Sequence, residues 1–146
     1  MGSFKIFSIK RRRDIIDKIN FDASTPIFLQ IVDSILSDIA TGTLKPSEKI
    51  ESVRLLASRY KVNPNTMQKS LEKLGDMGFL YTERTSGRFV TDDVAKIQAL
   101  RQEIPARITK EYIEEMLSAG VSSGEIPNYV NKFLKEREAN GKNSRN

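Results

Sequence analysis

The ten residues from Val62 to Leu71, VNPNTMQKSL, carry the most suggestive spacing of chemical groups in the chain. Asn-Pro-Asn-Thr is how a helix begins: Asn63 can cap it, and Pro64 fits a first turn in which a missing N–H costs nothing. Met67, Leu71 and Leu74 then recur as a single apolar stripe. On the far side stand Asn65, Gln68, Lys69, Glu72 and Lys73. Asn and Gln can grip adenine bidentately, Lys can donate to guanine O6 and N7, and the Thr66 side chain can meet a thymine methyl. The plainer alternative is an ordinary solvated helix face.

The chain is poorly equipped for catalysis. It has no Cys and no His, which removes disulfides, thiolate nucleophiles, and the commonest general base and metal ligand. No paired carboxylates, Walker loop or Ser-x-x-Lys arrangement stands in for them, so neither an enzyme nor a cofactor or metal is expected. The 146 residues, 38% apolar, fit one ordinary domain or a small domain with an oligomerisation appendage. No apolar run approaches the roughly 18 residues that mark a membrane span. The start, MGSFKIFSIKRRR, lacks a signal peptide's apolar core and carries Ile6 where myristoylation needs Ser or Thr. A soluble, cytoplasmic protein is expected.

The net charge of +5 is unevenly spread. Residues 1–20 hold Lys5, Lys10, Arg11, Arg12, Arg13 and Lys18 against Asp14 and Asp17, a local balance of +4. This basic extension, with Ile15, Ile16 and Ile19 on one possible helical stripe, reads either as an arm for phosphates or a partner helix, or as a solvated terminus.

Several elements must position the polar set. Pro26 to Thr41 reads as a helix capped by Ser24 or Thr25, with Ile27, Phe28, Ile31, Val32, Ile35, Leu36 and Ile39 buried and Gly42 as its stop. Ser52 caps a short helix with Val53, Leu56, Ala57 and Tyr60 inward and Arg54, Ser58 and Lys61 outward. The helix opened by Asn63 follows at once and ends near Gly75–Gly78, which is a helix-turn-helix layout. Phe79 to Glu83 and Arg88 to Val90 are short β-prone runs joined by Arg84-Thr85-Ser86-Gly87, a hairpin loop with a glycine for positive φ. A helix-turn-helix followed by a hairpin is a winged helix. Arg54, the wing residues Arg84, Gly87 and Arg88, and Asn63, Asn65, Thr66, Gln68 and Lys69 make up the candidate DNA contacts.

From Val94 to Ala119, Ile97, Leu100, Ile104, Ile108, Tyr112 and Met116 recur at helical spacing, and Pro105 should kink or split the run. After Gly120, Ser122 and Glu125 resemble a capping box, with Val121 stapled to Ile126. A last helix carries Tyr129, Val130, Phe133 and Leu134, and the tail from Ala139 is expected to be disordered.

The segments PIFLQIVDSILSDIATGTLKP, IESVRLLASRYKVNPNTMQKSLEKLGDMGFL and SGRFV together resemble the DNA-binding domain of the GntR family of bacterial transcription regulators, over about residues 21–91. The Asn-Pro-Asn-Thr-x-Gln-Lys segment with a short C-terminal extension is similar to the YtrA-like subgroup. The resemblance implies that Arg54, Asn63, Asn65, Thr66 and Lys69 face DNA. It also implies repression from a promoter site, with transporter genes among the targets. The chain departs from the family pattern at Ser47, Glu51, Gln68, Thr85 and Arg88.

The expected architecture is mainly α with a small β-hairpin. A basic extension (1–20) precedes a winged helix-turn-helix (21–91), a helical dimerisation region (92–138) and a disordered tail (139–146). The 55 residues after the wing are too few to enclose a typical ligand pocket of roughly 300–1,000 Å³. Their apolar stripe can pack back on the same chain or pair with a second copy. The homodimer is the expected use, with Ile97, Leu100, Ile104, Ile108, Tyr112, Met116, Tyr129 and Phe133 as its interface. The expected partners are double-stranded DNA with a palindromic operator and a second copy of the chain, with no membrane; the residues specify no small-molecule effector. A winged helix that binds protein, or serves replication without specific DNA contact, is the alternative.

Overall fold

The computed structural model describes residues 21–143, so the basic extension lies outside the described residues. The chain divides into two compact units, the first ending at Ile104 and the second beginning at Pro105.

In the first unit, α1 (Ile27–Thr41), α2 (Val53–Tyr60) and α3 (Pro64–Asp76) surround one apolar core. The α1 helix begins at Ile27, with Pro26 at the N-cap position and no side-chain cap. Neither Ser24 nor Thr25 caps it. Gln30 instead reaches back from the first turn: its Nε2 donates to the Asp22 and Thr25 carbonyls at 2.7 Å each, and its Oε1 accepts from the Asp22 N–H at 2.8 Å. These bonds tie the incoming chain to the helix and satisfy backbone groups of the segment before it, while no side chain caps the helix's own first N–H groups. Of the expected buried face, Ile31, Val32, Ile35, Leu36 and Ile39 are buried, but Ile27 is 44% exposed.

Ser52 caps α2 as expected, accepting from the Leu55 N–H at 3.3 Å. Lys61 then turns the chain in the left-handed region at φ 52°. Asn63 caps α3, its Oδ1 accepting from the Asn65 N–H at 2.8 Å, with Pro64 in the first turn. Met67, Leu71 and Leu74 are completely enclosed. Ser70, also enclosed, lies 3.0 Å from both the Phe28 and Thr66 carbonyls and has one hydrogen to give between them. With either carbonyl the buried hydroxyl is satisfied, and with Phe28 the bond also joins α3 to α1. Tyr60 sits in the same core with its hydroxyl 3.3 Å from Ser34 Oγ. Burial pushes its phenol up to about 12, against the opposing pull of the Ser34 hydrogen bond.

The hairpin pairs β1 (Leu80–Glu83) with β2 (Gly87–Val90) antiparallel, Leu80 opposite Val90 and Tyr81 opposite Phe89. The Tyr81 and Phe89 rings stack at 5.6 Å between centroids. Residues 47–50 extend this small sheet on the other side of β2. Ser47 N–H donates to the Val90 carbonyl, Val90 N–H to Glu48, and Ile50 N–H to Arg88. The segment enters through Ser47 at φ 62°, a left-handed conformation that favours glycine.

The α4 helix (Val94–Ser118) is continuous, and Pro105 does not split it. Its first turns belong to the winged helix. Ile97 and Leu100 are buried in the core, Ile104 packs partly against it, and Arg101 Nε donates to the Ala40 carbonyl at 2.7 Å near the end of α1. Ile97 and Leu100, two members of the expected dimer interface, are therefore taken up in the core of the first unit.

In the second unit, Ile108, Tyr112 and Met116 are half-buried. The helix ends at Gly120 (φ 85°), with the Gly120 and Val121 N–H groups closing on the Leu117 and Met116 carbonyls. Glu125 accepts from both the N–H and the hydroxyl of Ser122, bonds that hold its carboxyl below the usual carboxylate range, the hydroxyl contributing most. α5 (Ile126–Asn143) follows. It runs past Ala139, so the expected disordered tail is helical as far as Asn143. Ile126 is buried, whereas Tyr129, Val130, Phe133 and Leu134 are exposed.

Candidate nucleic-acid interface

The outer face of α3 is built from its capped end. With Met67, Leu71 and Leu74 locked into the core, the helix can rotate little, and Asn65 and Lys69 are left exposed on its first two turns. Thr66 and Gln68 are half-buried beside them. Asn63 is exposed, but its side-chain carbonyl is committed to the cap. Lys69 does not extend freely: its ammonium lies 4.0 Å above the Phe28 ring of α1, a cation–π contact that holds the charge on this face.

Arg54 is exposed on α2 and Arg84 on the hairpin loop. Gly87, at φ 108°, turns the chain into β2, and a Cβ there would stand 3.2 Å from Lys49 Cε. Lys49, exposed on the segment that flanks β2, is thus a base beside the wing that sequence spacing did not single out. Arg88 is half-buried and points inward, its Nη2 donating to Gln68 Oε1 at 3.3 Å. Gln68 in turn donates to Glu72 at 2.8 Å. Glu51, an acid close to the Ser52 cap, is paired with Arg59 at 2.6 Å, which offsets its charge near this face.

Arg54, Asn65, Lys69 and Arg84 therefore project from α2, α3 and the wing of one unit. Among the described residues no group of acidic side chains is placed to hold a metal ion, and no helix is long and apolar enough to cross a membrane.

Residues 28–90 match the model of the family described as bacterial regulatory proteins, gntR family. A solved structure of a GntR family transcriptional regulator from Listeria monocytogenes is 38% identical, with a TM-score of 0.70 over 77% of this chain and 98% of that one. The chain belongs to the GntR family. Its α1, α2, α3 and hairpin make up the winged-helix DNA-binding domain of that family, and its function is transcription regulation, not catalysis. Two curated relatives from Bacillus subtilis match along most of their length. The HTH-type transcriptional repressor YtrA is 28% identical over 82% of this chain and 90% of its own. The uncharacterized HTH-type transcriptional regulator YhcF is 29% identical over 77% of this chain and 93% of its own. The YtrA match, spanning both the winged helix and the short helical extension of this GntR protein, supports the YtrA-like subgroup.

Proposed function

We infer that this GntR protein represses transcription in the cytoplasm by occupying an inverted-repeat operator as a homodimer. One α3 enters the major groove of each half-site, and the wing lies against the adjoining backbone or minor groove. The observation that carries this reading is the exposed placement of Asn65 and Lys69 at the rigidly capped start of α3. Arg54 and Arg84 are exposed on the neighbouring element and on the wing. The helix start is the part that comes closest to base edges in this docking mode.

The dimer rests on a second observation. α5 exposes Tyr129, Val130, Phe133 and Leu134, spaced as one helical stripe, and α4 adds exposed Ile113 and Leu117 in the same unit. Such residues in a short helical extension call for burial against another molecule. A second copy also doubles the DNA contacts. Likeness to the YtrA-like subgroup favours transporter genes as targets.

Selection of duplexes from a random pool, with the purified protein at moderate salt, tests the reading. Enrichment of a palindrome is expected, and its half-site spacing gives the dimer geometry. Sequence-blind binding that fades with salt would remove the base-reading role of α3 and favour the protein-interaction alternative.

A further inference from the structure

Gln68 is held at both ends of its amide. Its Oε1 accepts from Arg88 Nη2 at 3.3 Å, and its Nε2 donates to Glu72 Oε1 at 2.8 Å. Chemistry dictates this orientation: a guanidinium only donates and a carboxylate only accepts, so the carbonyl must face the wing and the amino group must face Glu72. The amide has two donor hydrogens and two acceptor lone pairs. One of each is therefore left over. A donor beside an acceptor is what the adenine edge takes, N7 accepting and N6 donating.

The two neighbours come from different elements. Glu72 lies one turn further along α3, and Arg88 lies on β2 of the wing. Arg88 is half-buried, in contrast to the exposed Arg84 at the loop. An arginine that is half-covered and hydrogen-bonded inward is placed to orient a neighbour rather than to sit on a phosphate.

We propose that Arg88 and Glu72 are positioning residues that fix the Gln68 amide so that α3 prefers adenine at one position of each half-site. The proposal rests on the reading of α3 as the DNA reader. Holding the amide in its bound orientation before DNA arrives removes an ordering cost that a free glutamine would meet on binding. The wing then contributes to base choice without itself touching a base.

The test uses the full chain as wild type, Gln68→Ala, Arg88→Ala, Glu72→Ala and the Gln68→Ala/Arg88→Ala double variant. Each is titrated with the selected operator and with every single-base-pair change of it, across a salt series. Gln68→Ala is expected to flatten an A·T preference at one position by roughly fivefold or more. Arg88→Ala and Glu72→Ala are expected to flatten that same position, and the double variant to be no flatter than Gln68→Ala alone. Suppose instead that Arg88→Ala weakens all duplexes alike and lowers the slope of log affinity against log salt by about one. Arg88 would then be a phosphate contact, and the proposal would be overturned. Glu72 is exposed, so its variant keeps the test decisive if Arg88→Ala fails to fold; an unchanged A·T preference in it would also overturn the proposal. A wild type with no base preference at all would overturn the DNA-reading function itself, an outcome distinct from either.

Discussion

Lys69 and Arg54 reach the candidate interface from different backgrounds. Lys69 is restrained by the Phe28 ring, whereas Arg54 stands exposed on α2. For Lys69, moving onto a base edge exchanges a cation–π contact of about 0.5–1 kcal/mol at an exposed site for a charge-assisted hydrogen bond. Truncation of either residue to Ala is expected to weaken operator binding by on the order of 1–3 kcal/mol per half-site. Titration of a labelled operator would read this directly, and unchanged affinity in both variants would refute the assignments. Tyr60 gives a second prediction, on stability. Its phenol rises from 10.0 to about 12 on folding, chiefly by burial, so the folded state resists phenolate formation. A group whose value is raised on folding contributes fully below its unfolded value and loses that contribution as pH climbs through the folded one. Wild-type stability relative to Tyr60→Phe should be flat below pH 10 and fall by about 1.4 kcal/mol per pH unit from there towards pH 12. A difference that stays constant across this window in denaturant titrations would show that the phenol is not buried in solution.

At the level of elements, α5 leaves a whole apolar stripe uncovered. Its apolar residues after Ile126 are exposed, and most of a helix's stability in a protein comes from packing such a face. Phe133→Asp, at a position 64% exposed, is expected to abolish the dimer in sedimentation while leaving the winged helix folded. An intact dimer would point to another interface. The contrast with Ile97 and Leu100 shows how far sequence reading reaches. All of these residues belong to stripes with helical spacing, and spacing reveals that a face is buried but not what buries it. The α3 helix was legible in full because its signals are local: an Asn cap, a Pro in the first turn and a stripe of three apolar residues. The pairing of residues 47–50 with β2 was not. It depends on three backbone bonds to a strand about forty positions away, with no alternation to announce it. The α1 start was misread for a related reason. Ser24 and Thr25 are good local caps, but the long Gln30 side chain satisfies the incoming backbone from inside the helix. In the site, residue types and helical spacing anticipated the exposure of Arg54, Asn65, Lys69 and Arg84, but not the half-burial of Thr66 and Gln68. The inward turn of Arg88 onto Gln68 is a tertiary contact that no spacing encodes.

At the scale of the whole molecule, the border at Pro105 separates two compact units. Everything the winged-helix core uses lies before it, including Ile97, Leu100 and the Arg101 bond to Ala40. The residues proposed for pairing lie after it, apart from Ile97 and Leu100, which the core buries, and half-covered Ile104. A chain ended after Ile104 should therefore keep its fold and its half-site preference while losing the dimer. Two linked recognition helices bind a palindrome with an effective concentration that raises affinity by on the order of 10²–10⁴ over one. The shortened chain should lose that factor on the full operator yet match the whole chain's per-site affinity on an isolated half-site. Titrating both chains with both duplexes separates pairing from half-site recognition. Equal affinity of the two chains for the full palindrome would mean that the helices after Pro105 do not assemble the DNA-bound form, and that the exposed face of α5 serves a different partner.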